Sequence, residues 1–208
     1  MPIFFFISGF LIYASYEKSL SHENSLKMFF TKRLLRLYPA LWLCLFLSIV
    51  LLSVSGYLST EEFSTIEFIT WVITSATFLQ FYNPDFLRGF GVGSINGSLW
   101  TVVVEMQFYI VLPLIYLVLP RTRKGFLAGL VLITLAAAAV SEWLVNTQTK
   151  DNPVGFLLLM GICLPYLYMF LLGVIIQKLL PILMPMLRGM FLPWLAFYVL
   201  TVLAMHYW

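Results

Sequence analysis

Charge is scarce in this sequence. Its 208 residues carry 12 Lys and Arg and 9 Asp and Glu, 10% of the chain, where soluble domains carry about 25%. A soluble globular domain is excluded on that ground. Cysteine is scarcer still: Cys44 and Cys163 both sit inside apolar runs and read as small buried hydrophobes, not as a disulfide or a thiolate metal site. The two histidines, His22 and His206, lie in a polar segment and at the chain end. No ligand cluster accompanies them, so no metal is expected. No basic stripe interleaved with aromatics occurs, which argues against a nucleic-acid partner. No repeat or low-complexity tract divides residues 1–208, so a single domain is expected. The opening apolar stretch lacks a basic lead-in and a cleavage-like small-residue pattern, so it reads as part of a span and not as a leader.

What is there is apolar: 62% hydrophobic and 17% aromatic. Apolar runs fall at about 2–14, 37–55, 66–82, 99–119, 125–145, 154–177 and 190–207, and crossing a hydrocarbon core takes about 20 such residues per helix. The sequence therefore predicts an all-α, polytopic transmembrane bundle whose first partner is the lipid bilayer. Lys18, Lys27, Lys32, Arg33 and Arg36 fall between the first two runs, and the positive-inside rule makes that segment cytoplasmic.

The run at 66–82 decides the topology. Thr70, Thr74, Ser75, Thr77 and Gln80 interrupt it. A full crossing would strand Arg121, Arg123 and Lys124 on the outer face, against the same rule. Backbone that enters without crossing is allowed where protein covers it. The expectation is about six spans plus one re-entrant or interfacial segment at 66–82.

Three features stand out from this background. Glu105 lies in a run otherwise apolar through Leu119. A lone carboxylate at the bilayer centre costs roughly 2.5–3.5 kcal/mol on insertion scales, so such groups tend to face a cavity and serve a function. Thr101, Phe108 and Tyr109 share its helical face, and Ser98 and Trp100 precede it. Proton transfer or orientation of a reacting hydroxyl suits a carboxyl there; a bond to a neighbouring helix explains it equally well. Arg33 and Arg36, three residues apart on one helical face, suit a pyrophosphate or phosphorylated cofactor, or lipid headgroups at the inner mouth of the 37–55 span. Ser8-Gly9 suits close helix packing better than nucleophilic chemistry, since no histidine is near in sequence. Glu142 and Asp85 read as interfacial charges.

Taken in order, three blocks resemble acyltransferase family 3, integral-membrane enzymes that O-acylate bacterial surface polysaccharides and related acceptors. They are the Phe-rich Ile3-Phe4-Phe5-Phe6-Ile7-Ser8-Gly9-Phe10 segment; Arg33-Leu34-Leu35-Arg36 with Tyr38-Pro39 after it; and Leu99-Trp100-Thr101 leading to Glu105 and Phe108-Tyr109. The resemblance implies a multi-pass protein of the bacterial cytoplasmic membrane with no permanent cofactor. Acyl-CoA, in the first instance acetyl-CoA, would be the co-substrate, docking at Arg33 and Arg36. A carbohydrate or lipid-linked sugar would be the acceptor, with Glu105 catalytic and Ser98, Trp100 and Tyr109 lining the acceptor side.

It also implies a departure. The family carries a catalytic histidine on a first span, whereas this chain opens where the second span would stand. No residue here matches that histidine, and neither His22 nor His206 lies in the right segment. The expectation is a chain truncated at both ends and, alone, nearly inactive. The rival expectation is a lipid or polyprenyl-phosphate flippase, with Glu105 as proton relay and the arginines gripping phosphate.

Overall fold

The computed structural model describes residues 2–60, 64–77, 82–90, 95–148, 161–190, 193–196 and 198–201, and every regular element among them is helical. In chain order these are α1 (Pro2–Ser19), α2 (Ser25–Val54), α3 (Tyr57–Thr60), α4 (Thr65–Ala76), α5 (Asp85–Arg88), α6 (Trp100–Val118), α7 (Arg123–Gln148) and α8 (Leu167–Leu187). Short 3-10 turns at Gly97–Leu99 and Leu164–Tyr166 lead into α6 and α8. Four stretches are long and apolar enough to cross a membrane: Ser25–Val54, Trp100–Val118, Arg123–Thr147 and Leu164–Leu187. Large apolar side chains such as Leu35, Phe46, Leu117 and Leu132 stand exposed on them. In water that would be an aggregation surface; against lipid it is the expected exterior.

The first apolar run becomes α1, which packs along α8. Glycine permits the contact at two reciprocal points. A Cβ at Gly9 would collide with the Phe170 carbonyl, and one at Gly173 with the Phe6 carbonyl. Helix backbones approach that closely in membranes only where residues are small. Ser8 is buried in the same seam, so packing accounts for Ser8-Gly9. Phe108 stacks on Phe170 at 4.1 Å between ring centroids and joins α6 to this pair.

Aromatic contacts fix which helix ends lie together. Phe5, near the start of α1, meets Trp100 at 6.0 Å, Tyr166 at 4.6 Å and Phe170 at 5.1 Å, so α1, α6 and α8 begin at one end. At the other end Tyr16 meets Tyr116 at 5.4 Å, Tyr13 meets Phe126 at 6.3 Å, and Lys178 Nζ donates to Glu17 Oε1 at 2.7 Å. The basic turn 119–122 therefore shares an end with the basic segment after α1. There Thr122 accepts at Oγ1 from Gly125 N–H at 3.3 Å and caps the start of α7, as a hydroxyl at that position does.

This arrangement bears directly on 66–82. The long helix α2 leaves the basic end and α6 starts from the opposite one, so the chain between them begins and ends on one side. Within it α4 has 12 residues, about 18 Å and too short for a core of about 30 Å. Ser64 starts it with a capping box: its Oγ accepts from Glu67 N–H at 3.1 Å, while its own N–H donates to Glu67 Oε2 at 3.2 Å. The other end of α4 reaches α2 at depth, where Trp42 Nε1 donates to the Ala76 carbonyl at 3.2 Å. Thr74 and Thr77 turn their hydroxyls onto carbonyls of the same last turns, Thr70, Trp71 and Ile73 among them, at 2.8–3.0 Å. The chain then returns to α5, where Tyr57 Oη donates to the Phe86 carbonyl at 2.7 Å. The described part of the segment does not run the length of the bundle, as a re-entrant or interfacial element would not; residues 78–81, Gln80 included, lie outside the described set.

Two boundaries differ from the sequence reading. The run at 154–177 predicts a span ending before Lys178, but α8 runs to Leu187, and residues 149–160 lie outside the described set. Lys178 does not end the helix because Glu17 neutralises it. The polar segment from Glu17 to Arg36 is also mostly helical, with only residues 20–24 between α1 and α2. Charge there marks the basic end of two helices and not a long loop. The run at 190–207 is described only at 193–196 and 198–201; the described residues hold four long apolar helices, with α1 packed among them.

Candidate functional site

Arg33 lies inside α2, on the face turned to α1 and α6, with 4% of its surface exposed. Its Nη2 donates to the Leu11 carbonyl at 2.8 Å. The guanidinium carbon stands 5.9 Å from the Phe29 ring centroid and 5.6 Å from that of Tyr109. Phe29 and Tyr109 are themselves edge-to-face at 6.0 Å, so the cation sits between two π-faces, each worth up to about 2 kcal/mol when desolvated. Those contacts and the carbonyl offset the cost of burying the charge. The arginine Nε remains buried with no acceptor among the described residues.

From Tyr109 the chain of contacts continues to Glu105. Tyr109 is wholly buried and its Oη donates to Glu105 Oε1 at 2.6 Å, a length typical of a charge-assisted O–H···O⁻ bond. Glu105 itself is half-buried. The four-residue spacing puts donor and acceptor on one face of α6. Cation, phenol and carboxylate thus form a line joining α1, α2 and α6.

The structure gathers the sequence candidates unevenly. Arg33, Tyr109 and Glu105 come together. Arg36, one turn further along α2, is exposed, so the two arginines do not present one open fork. Leu11 lies about 12 Å along α1 from the Ser19 end, which places Arg33 well inside the bundle instead of at its mouth. Trp100 is half-buried against Phe5 and, at 5.4 Å, Tyr166. Ser98 belongs to the turn Gly97–Leu99, and its side chain lies outside the described set. His22 is exposed in the turn after α1, and His206 lies outside the described residues.

Beside Trp100, below α4, is a cavity of about 140 Å³ walled by Ser48, Trp71, Ser75, Asn83, Asn96 and Trp100. Asn96 Nδ2 donates to Cys44 Sγ at 3.0 Å nearby. The short helix α4 thus roofs a small space at the end of the bundle where α6 begins, its polar groups set among Leu45, Leu87, Ile95 and Leu99.

Gln107 was not singled out by the sequence reading. Two residues from Glu105, it points to the far side of α6. Its Nε2 donates to the Gly161 carbonyl at 2.7 Å and its Oε1 accepts from Cys163 N–H at 2.9 Å. One amide therefore clamps the turn leading into α8. The available signal was a second uncharged polar side chain in the Glu105 run.

The comparisons agree with this architecture. A family model described as an acyltransferase domain matches residues 1–208. The chain is similar to nodulation protein 10 of Rhizobium leguminosarum bv. viciae, 32% identical across 100% of this chain and 55% of that protein. It is similar to an O-acetyl transferase of Shigella phage Sf6, 32% identical across 67% of this chain and 41% of that one. It also resembles the peptidoglycan O-acetyltransferase OatA of Listeria monocytogenes, 28% identical across 60% of this chain and 20% of that protein. The chain thus spans about half, or less, of the length of these curated relatives. No solved structure matches it. A match over the full chain, on a bundle of apolar helices with a carboxylate held inside, leads to one conclusion: the chain belongs to acyltransferase family 3.

Proposed function

We propose that this chain serves a membrane-bound transfer of an acyl group, acetyl in the first instance, from acyl-CoA to a hydroxyl of a carbohydrate or lipid-linked sugar. The observation that carries the reading is the line Arg33–Tyr109–Glu105 through the bundle interior. In the reaction the acceptor oxygen attacks the thioester carbonyl; the C–O bond forms, the C–S bond breaks, and the CoA thiolate leaves. The acceptor's proton passes to a base. Glu105 faces that hydroxyl and orients it, with its Oε1 held by Tyr109 and Ser98 and Trp100 beside the acceptor.

Donor phosphates meet Arg36 on the exposed surface, and Arg33 lies behind it with one unused N–H. Acyl-CoA is a co-substrate here, and no cofactor is permanently held. The membrane is the bacterial cytoplasmic membrane, with the basic helix ends on the cytoplasmic side.

The test is acyl transfer and acyl-CoA hydrolysis by the full reading frame, comparing wild type with Arg36→Ala and Glu105→Gln. Arg36→Ala is expected to raise the KM for the donor, and Glu105→Gln to lower kcat. Unchanged rates in both remove the assigned roles. Lipid translocation that proceeds without acyl-CoA favours the flippase reading instead.

A further inference from the structure

At the basic end of the bundle, between α1, α6, α7 and the middle of α8, lies a second, open-mouthed cavity, separate from the Glu105 line, of about 380 Å³. That lies within the range of ordinary ligand sites, about 300–1,000 Å³. Three cations line it, Arg121, Arg123 and Lys178, and one anion, Glu17. Glu17 is already bonded to Lys178 at 2.7 Å. Arg121 and Arg123 have no acidic partner among the described residues. The cavity therefore carries two cations in excess.

Helix chemistry does not account for them. Arg123 opens α7, where the positive end of the helix dipole disfavours a cation and favours an anion. Gln177 adds a further demand: its Oε1 is buried and finds no donor among the described residues. Leu180 and Pro181 supply an apolar wall.

We infer that this cavity binds a phosphate ester bearing a neighbouring hydroxyl. The two arginines take the phosphate oxygens, the hydroxyl donates to Gln177 Oε1, and the apolar wall takes what the ester is attached to. Two molecules carry that chemistry at a cytoplasmic membrane face: an anionic glycerophospholipid headgroup and the nucleotide part of an acyl-CoA. Only the second depends on the function proposed above.

The experiment uses the full chain in nanodiscs and compares wild type with Arg121→Gln/Arg123→Gln. Lys124→Gln is the control, an exposed cation next to Arg123 that does not line the cavity. One arm titrates phosphatidylglycerol into phosphatidylcholine discs and follows binding by native mass spectrometry. The other measures equilibrium binding of CoA in phosphatidylcholine alone. Each lost arginine should weaken the relevant ligand about 5-fold, the size of a juxtamembrane charge contact, with Lys124→Gln near wild type. Loss in the first arm alone identifies the lipid; loss in the second alone identifies the nucleotide. Unchanged binding in both arms overturns the site, as does an equal loss in Lys124→Gln, which would reduce the effect to general surface charge.

Discussion

If the Tyr109–Glu105 bond is charge-assisted, it should show as coupling between the two residues. Tyr109→Phe removes only the hydroxyl and leaves the ring against Phe29 and the Arg33 guanidinium. Glu105→Gln removes the charge and keeps the shape. Side-chain pairs four residues apart on one helix contribute about 0.2–0.5 kcal/mol. Hydrogen bonds to charged groups contribute about 1.5–3 kcal/mol. The observed bond is 2.6 Å long and its donor is wholly buried, which places it above an exposed pair and at the low end of the charge-assisted range. The expected coupling is about 1.5 kcal/mol. The assay is reversible unfolding in bicelles of the wild type, both single variants and the double variant. Distant sites add within about 0.3–0.5 kcal/mol, so coupling below that limit would show that the contact carries no more energy than proximity.

Two further outcomes test the fold. Gly173→Ala places a methyl group against the Phe6 carbonyl and should lower stability by about 1–3 kcal/mol, read as a fall in Tm; a wild-type Tm would refute the close α1–α8 seam. Single cysteines at His22 and Thr122 should react with an impermeant maleimide from one side, and those at Ser64 and Asn146 from the other. Thr122 labelled together with Ser64 would overturn the re-entrant path of α4.

The parts of the molecule legible in sequence were those with a strong local signal. Run length gave the helices, and the placement of Arg121, Arg123 and Lys124 argued against a full crossing at 66–82 because a charge on the wrong face is costly, with which the 12 residues of α4 agree. Glu105 was conspicuous for the same reason. Burial of Arg33 was not legible: a guanidinium three residues from another reads as a surface pair until Leu11, Phe29 and Tyr109 are found around it. The length of α8 was hidden because Lys178 finds Glu17 across 161 residues of chain. Gln107 gave no periodic signal, and its partners at Gly161 and Cys163 are likewise distant in sequence. Local pattern reports what a residue costs when alone, and these residues are not alone.

The inner end of α4 has a consequence for the order of assembly. A long apolar helix can enter the bilayer by itself, since its backbone groups are satisfied within it. The shorter α4 cannot stop at depth by itself, because its last carbonyls would face hydrocarbon. Its own threonines cover some of them, and the Ala76 carbonyl is covered by an indole that belongs to α2. The segment 65–76 thus has a stable position only once α2 is in place. The cavity beside Trp100, roofed by α4, is then a late product of folding, completed after the spanning helices that surround it.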